Sequence, residues 1–121
     1  MGMDKLAQGL ERLGLSLTLE QRERFELYYR ELVVWNQRVN LTTITEYEEV
    51  QVKHFLDSLS VALAWEGQAI PHHLIDVGSG AGLPGLPLKI LFPQLSLTLL
   101  DSVRKKTRFL DHLVDALGLE G

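Results

Sequence analysis

The sequence predicts an α/β fold, with a helical N-terminal half followed by a β-loop-α-β-α second half. Three observations carry this. Apolar residues recur at helical spacing from Leu6 to Leu63. Two short apolar runs then follow, at 73–77 and 95–100, with a helical segment between them. A glycine cluster, Gly78-Ser79-Gly80-Ala81-Gly82, stands where the first run gives way to that helix. Strand, helix and strand in that order imply parallel strands joined by a crossover helix. The pattern changes near 67–72, which divides the chain into a helical cap over 1–67 and an α/β part over 68–121.

Taken in order, Leu6, Leu10 and Leu13 form the apolar side of a first helix, and Gly14 is its stop. Thr18 with Gln21 three residues on has the form of a capping box. A long helix follows it, with Phe25, Tyr28, Leu32, Trp35 and Val39 on one stripe and an end expected at Asn40 and the Thr42-Thr43 pair. Thr45 with Glu48 repeats the capping-box form. The next helix is expected to bury Val52, Phe55, Leu56, Leu59 and Leu63 and to end at Gly67. In the second half a short helix over 85–91 ends before Pro93. The second strand stops at Asp101. A last helix carries Phe109, Leu110, Leu113, Val114 and Leu117, and then meets Gly118.

Composition narrows the function classes. With 45% hydrophobic and 23% charged residues over 121 positions, the chain is globular rather than disordered, and long enough for one domain with a core. No stretch approaches the roughly 20 apolar residues of a membrane span. No basic segment leads into an apolar one as in a secretory signal. Leu6 stands where a myristoylation signal needs Ser or Thr. The absence of Cys removes disulfides, thiolate zinc sites and thiol catalysis, and the expected location is the cytoplasm. The net charge of −4 argues against nucleic-acid binding by bulk charge. A local basic site exists all the same: Arg104, Lys105, Lys106 and Arg108 place four cations in five positions.

The glycine loop carries the chemistry. Glycines between a strand and a helix let the backbone turn sharply and let a ligand approach it. The following helix directs its first N–H groups at that ligand. Asp101 lies 23 positions after Gly78, at the end of the second strand. An acid there can accept hydrogen bonds from the ribose hydroxyls of an adenosine cofactor. The dinucleotide pattern G-x-G-x-x-G fails from Gly78, because position 83 is Leu83. It matches Gly80, Gly82 and Gly85 only by leaving Gly78 over and placing Pro84 in the turn. The set Asp76, Gly78, Gly80 and Gly82 has instead the form of motif I in S-adenosyl-L-methionine-dependent methyltransferases. That cofactor has no pyrophosphate and carries an ammonium and a sulfonium. Asp76 is suited to hold the loop or the ammonium.

Further segments sharpen this: Trp35-Asn36 with Val39-Asn40-Leu41-Thr42, His54-Phe55-Leu56-Asp57-Ser58-Leu59, Asp76 to Leu88, Leu100-Asp101-Ser102 with Lys105-Lys106 and Phe109-Leu110, and Leu117-Gly118-Leu119. In this order they resemble the bacterial small-subunit (16S) rRNA guanine-N7 methyltransferases, long called glucose-inhibited division protein B, from about residue 15 onward. The resemblance implies a helical N-terminal cap followed by the first β-α-β-α part of a class I methyltransferase Rossmann-like fold. It implies S-adenosyl-L-methionine as cofactor, and 16S rRNA or a small ribosomal subunit particle as partner. It places Gly78 and Leu83 against the cofactor, Gly80 and Gly82 where the backbone is approached, Asp101 on the ribose, and Ser102 and Val103 beside the adenine. The family's chain continues for about as many residues again. The sequence therefore corresponds to an N-terminal half, not expected to be active alone, whose short sheet exposes an edge open to non-native association.

Other residues are expected to be structural. His54 and Asp57, one turn apart, read as a helix or packing pair. Asn40 reads as a helix-end residue and Asn36 as its neighbour on the same face. Phe25, Tyr28 and Trp35 read as core rather than as base-stacking groups. His72 and His73 lack the partners of a metal site. The basic cluster at 104–108 opposes the helix dipole at a helix start and reads either as a solvated first turn or as a contact for RNA phosphates. Two other functions stay open, a fragment of an NAD-dependent oxidoreductase using Gly80, Gly82 and Gly85, and a non-catalytic interaction fragment.

Overall fold

The computed structural model describes residues 2–65, 73–77, 80–101 and 103–119. The expected roles of Gly67, His72, Gly78, Ser79 and Ser102 lie outside the described residues. Helix α1 (Asp4–Arg12) buries Leu6 and Leu10. It ends as expected at Gly14, whose φ of 78° is open to glycine at little cost. The N–H of Leu15 reaches back to Leu10 O and that of Gly14 to Glu11 O, which satisfies these two carbonyls of the last turn. Helix α2 (Leu19–Asn36) starts on the expected capping box. Gln21 N–H donates to Thr18 Oγ1 at 3.1 Å, and Thr18 N–H donates to Gln21 Oε1 at 2.9 Å.

Several expectations for the middle of the chain are corrected. Helix α2 ends at Asn36 rather than near Asn40. Asn36 itself terminates it, its Oδ1 accepting from the N–H groups of Leu41 and Thr42 at 2.8 and 2.9 Å. Val39 therefore lies beyond the stripe. The cap of the next helix, α3 (47–59), is Glu46 rather than Thr45, because the Glu46 carboxylate accepts from Glu48 and Glu49 N–H. The interior of α3 is π-helical over Val50–Leu56. Bonds that span five residues instead of four rotate the buried face, so Val50, Gln51, Phe55, Ser58 and Leu59 are buried and Val52 is exposed. A 3-10 turn, Ser60–Trp65, follows.

The second half matches its expected order. Strand β1 (His73–Val77) pairs in parallel with β2 (Ser96–Leu100), from His73 opposite Ser96 to Val77 opposite Leu100. Helix α4 (Gly85–Leu91) connects them, and α5 (Arg104–Leu117) follows, ending at Gly118 with φ 65°. Leu74, Leu97 and Leu99 on one sheet face pack onto the core. On the alternate positions Ile75 and Leu100 are exposed.

Helix α2 packs on both α4 and α5. One continuous core results, in which Phe25, Tyr28 and Phe55 join Leu86, Leu88, Phe109 and Leu113. Phe55 tilts against both other rings at centroid distances of 4.9–5.0 Å. Trp35 packs on Phe109, and beside it His112 Nε2 meets Glu31 Oε2 at 2.8 Å. Gln21 ties the cap of α2 to α4, its Nε2 donating to Ile90 O and Leu91 O at 3.3 Å each.

Candidate functional site

The site forms where the C-terminal ends of β1 and β2 meet, the usual ligand position of a parallel sheet. Asp101 follows β2 directly. Its Oδ2 accepts from Gly80 N–H at 2.9 Å, and its Oδ1 from Val103 N–H at 2.9 Å. One carboxylate thus joins the glycine loop to the start of α5. The Val103 and Gly80 N–H groups, with Lys106 nearby, hold the Asp101 carboxyl below its ordinary value. Asp76 sits within β1, and its Oδ2 accepts from Gly85 N–H, the first residue of α4, at 3.0 Å. Burial raises the Asp76 carboxyl, and the Gly85 bond opposes that rise.

Two glycines have steric reasons. Gly82 has φ 90°, and a Cβ there would stand 2.6 Å from the Tyr28 hydroxyl. A Cβ on Gly85 would stand 2.9 Å from Leu97 Cδ1 and 3.0 Å from Asp76 Oδ2, so a side chain there would displace the sheet side chains on which α4 rests. Gly80 is also left-handed, with φ 52°. Val103 is exposed at the rim beside Asp101. Arg104, Lys105 and Arg108 are exposed and Lys106 half-buried at the start of α5.

Leu83 and Pro84, leaving the loop, face α3 across a cleft of about 230 Å³ that Lys53, His54, Asp57 and Ser58 also line. His54 Nε2 lies 2.7 Å from Thr42 Oγ1, and burial lowers its pKa against the opposing Lys53 backbone bond and Asp57 charge. Phe25 and Tyr28 are fully buried and Trp35 is half-buried against Phe109, so this aromatic set packs the interior. One feature escapes the stripe: the Tyr28 hydroxyl donates to Ala81 O, inside the glycine loop, at 2.6 Å. The need of a buried phenol for a partner was the only signal of it in the sequence. His73 hydrogen-bonds Ser96 Oγ and Thr98 Oγ1 across the strands. No three His, Asp or Glu side chains gather as metal ligands among the described residues.

The model of one protein family, rRNA small subunit methyltransferase G (GidB), matches residues 21–121. The chain belongs to this family. Among similar relatives is the ribosomal RNA small subunit methyltransferase G of Dehalococcoides mccartyi, 56% identical over 119 residues, covering 98% of this chain and 50% of the relative. That of Roseiflexus castenholzii is 53% identical over 117 residues, covering 97% of this chain and 49% of the relative. That of Bacillus thuringiensis is 45% identical over 119 residues, with 98% and 49% covered. The chain spans about half the length of these relatives. The GidB match opens at Gln21, the capping-box partner of Thr18 that also grips α4, and takes in Tyr28, the glycine loop and Asp101.

Proposed function

We propose that this chain is the cofactor-binding half of a small-subunit rRNA methyltransferase, holding S-adenosyl-L-methionine for methyl transfer to N7 of a guanine in 16S rRNA. The observation that carries this reading is the bond from Gly80 N–H to Asp101, which brings loop and acid to one place at the strand ends. The residues fit the group. Each Asp101 oxygen accepts one backbone N–H and keeps a second lone pair, enough for the two hydroxyls of a ribose. The exposed Val103 offers an apolar edge for an adenine. The left-handed Gly80 carries no side chain where the loop backbone is half-exposed, whereas Gly82 is buried against Tyr28 and shapes the turn from the inside.

When bound, the cofactor supplies an electrophilic methyl group on a sulfonium. Guanine N7 has a free lone pair and no proton to lose, so the reaction needs no general base from the protein. The chain's contribution is alignment, with N7 about 3 Å from the methyl carbon. The basic turn Arg104, Lys105, Lys106 and Arg108 lies beside Asp101 and supplies cations for RNA phosphates.

Calorimetric titration of this chain with S-adenosyl-L-methionine and, separately, with NAD tests the reading. Saturable binding of the first is expected, weakened about tenfold or more in Asp101→Ala, as loss of a charged hydrogen-bond acceptor implies. Binding of NAD with none of S-adenosyl-L-methionine would favour the oxidoreductase alternative and sink the proposal. For the RNA, Lys105→Glu with Lys106→Glu should weaken binding to 16S rRNA and flatten its salt dependence; an unchanged slope removes the basic turn from the interface.

A further inference from the structure

We propose that Tyr28 is a positioning residue for the glycine loop, its buried hydroxyl fixing the Ala81 peptide from the helical side while Asp101 fixes the Gly80 N–H from the strand side. Only its consequence for cofactor affinity rests on the functional reading above; its effect on the loop does not.

Tyr28 is fully buried in the middle of α2. Its ring packs against Phe55 at a centroid distance of 4.9 Å, one contact of a ring enclosed on all sides. There it donates to Ala81 O at 2.6 Å. The same oxygen stands 2.6 Å from where a Cβ on Gly82 would be, so the loop backbone lies directly on the phenol. Burial and the neighbouring Asp76 charge both disfavour the phenolate, which keeps the hydroxyl a donor at every physiological pH.

Ala81 lies between the two loop residues with positive φ, Gly80 and Gly82. Glycine flanks allow many orientations of the intervening peptides, so an outside bond must select one. The selection also spans the whole loop-helix unit. Gln21 lies seven residues before Tyr28, two turns away on the same side of α2, and holds the carbonyls at the far end of α4. Helix α2 thus grips the loop with Tyr28 and the end of the following helix with Gln21. Reading α2 as a covering element alone leaves unexplained why a hydroxyl is buried where a phenylalanine would fill the same space.

The test compares Tyr28→Phe with Phe55→Leu. Both alter the same aromatic cluster, but only the first removes the loop's donor. Amide hydrogen exchange, read residue by residue without ligand, should show Gly80, Gly82 and Gly85 exchanging about tenfold faster in Tyr28→Phe, with α1 and α5 unchanged. Phe55→Leu should speed exchange across the core without singling out the loop. Loop exchange in Tyr28→Phe that stays at the wild-type rate, or rises only in parallel with the rest of the chain, overturns the proposal. Titration with S-adenosyl-L-methionine adds the second readout, an affinity loss of about tenfold in Tyr28→Phe and none in Phe55→Leu. A loosened loop with undiminished affinity overturns the positioning role toward the cofactor. Wild-type protein that binds no S-adenosyl-L-methionine sinks the functional reading instead, and the exchange result still decides whether Tyr28 sets the loop.

Discussion

Asp101 commits an oxygen to each of two backbone N–H groups, one in the glycine loop and one at the start of α5. That arrangement favours the carboxylate, and the carboxyl is held below its ordinary value, first by Val103, then by Gly80. The sign follows. The stabilising contribution is complete above the unfolded value of about 3.9 and is lost as pH falls through the lower folded value. Asp76 runs the other way: burial raises it, so its contribution weakens as pH rises from the ordinary value through the raised one. Urea denaturation followed from pH 2 to 6 should therefore show a steeper acid loss in the wild type than in Asp101→Asn. Identical acid limbs in the two proteins would show that Asp101 is not linked to folding. The position of Asp101 at a strand end was legible in the sequence, because strand length and the glycine spacing place it there. Its bond to Gly80 was not, because residues 21 apart meet only once the strands pair. Tyr28 is the same case: spacing put its ring in the core, but nothing local says which carbonyl its hydroxyl finds.

At the scale of elements, local signals worked where one element decides its own boundary. The capping box of α2, the glycine stops of α1 and α5, and the proline-limited α4 all lie where the sequence put them. They failed at the end of α2, which Asn36 sets through bonds to Leu41 and Thr42, and in α3, where tertiary packing sets the helix type. A heptad-like stripe assumes bonds spanning four residues, and the π-helical turns of Val50–Leu56 carry Val52 to the surface at 44% exposure while Val50 and Gln51 go inside. Buried Gln51 then accepts from Leu6 N–H at 3.0 Å, a contact with α1 that no periodicity announces. The two members of the capping box separate local from tertiary contributions. Thr18→Ala removes an exposed cap and should cost about 1 kcal/mol. Gln21→Ala removes its share of the cap together with the donor to Ile90 O and Leu91 O, and should cost about 2 kcal/mol. Equal losses of denaturation free energy in the two variants would mean that the link from α2 to α4 contributes nothing.

For the whole molecule, the order of elements was legible because a glycine loop between a strand and a helix, followed by a second strand, admits few parallel arrangements. Among the described residues the two sheet faces differ in burial. Leu74, Leu97 and Leu99 pack inward, whereas Ile75 is 58% and Leu100 48% exposed on the other side. Among the described residues the sheet has two strands, so each also presents one unpaired edge. Apolar side chains beside open backbone groups make this face adhesive. Concentration-dependent self-association of this chain is therefore expected, with Ile75→Lys shifting it toward monomer by placing a charge in the middle of the face. Ile75 stands opposite Thr98 and makes no part of the glycine loop, so the substitution should leave the loop and its ligand affinity intact. Sedimentation equilibrium measures both proteins directly. A wild type that stays monomeric to about 0.5 mM, where contacts of even modest free energy would populate dimers, would show that the open face alone does not drive association. Equal association in the wild type and Ile75→Lys would place the contact elsewhere on the molecule.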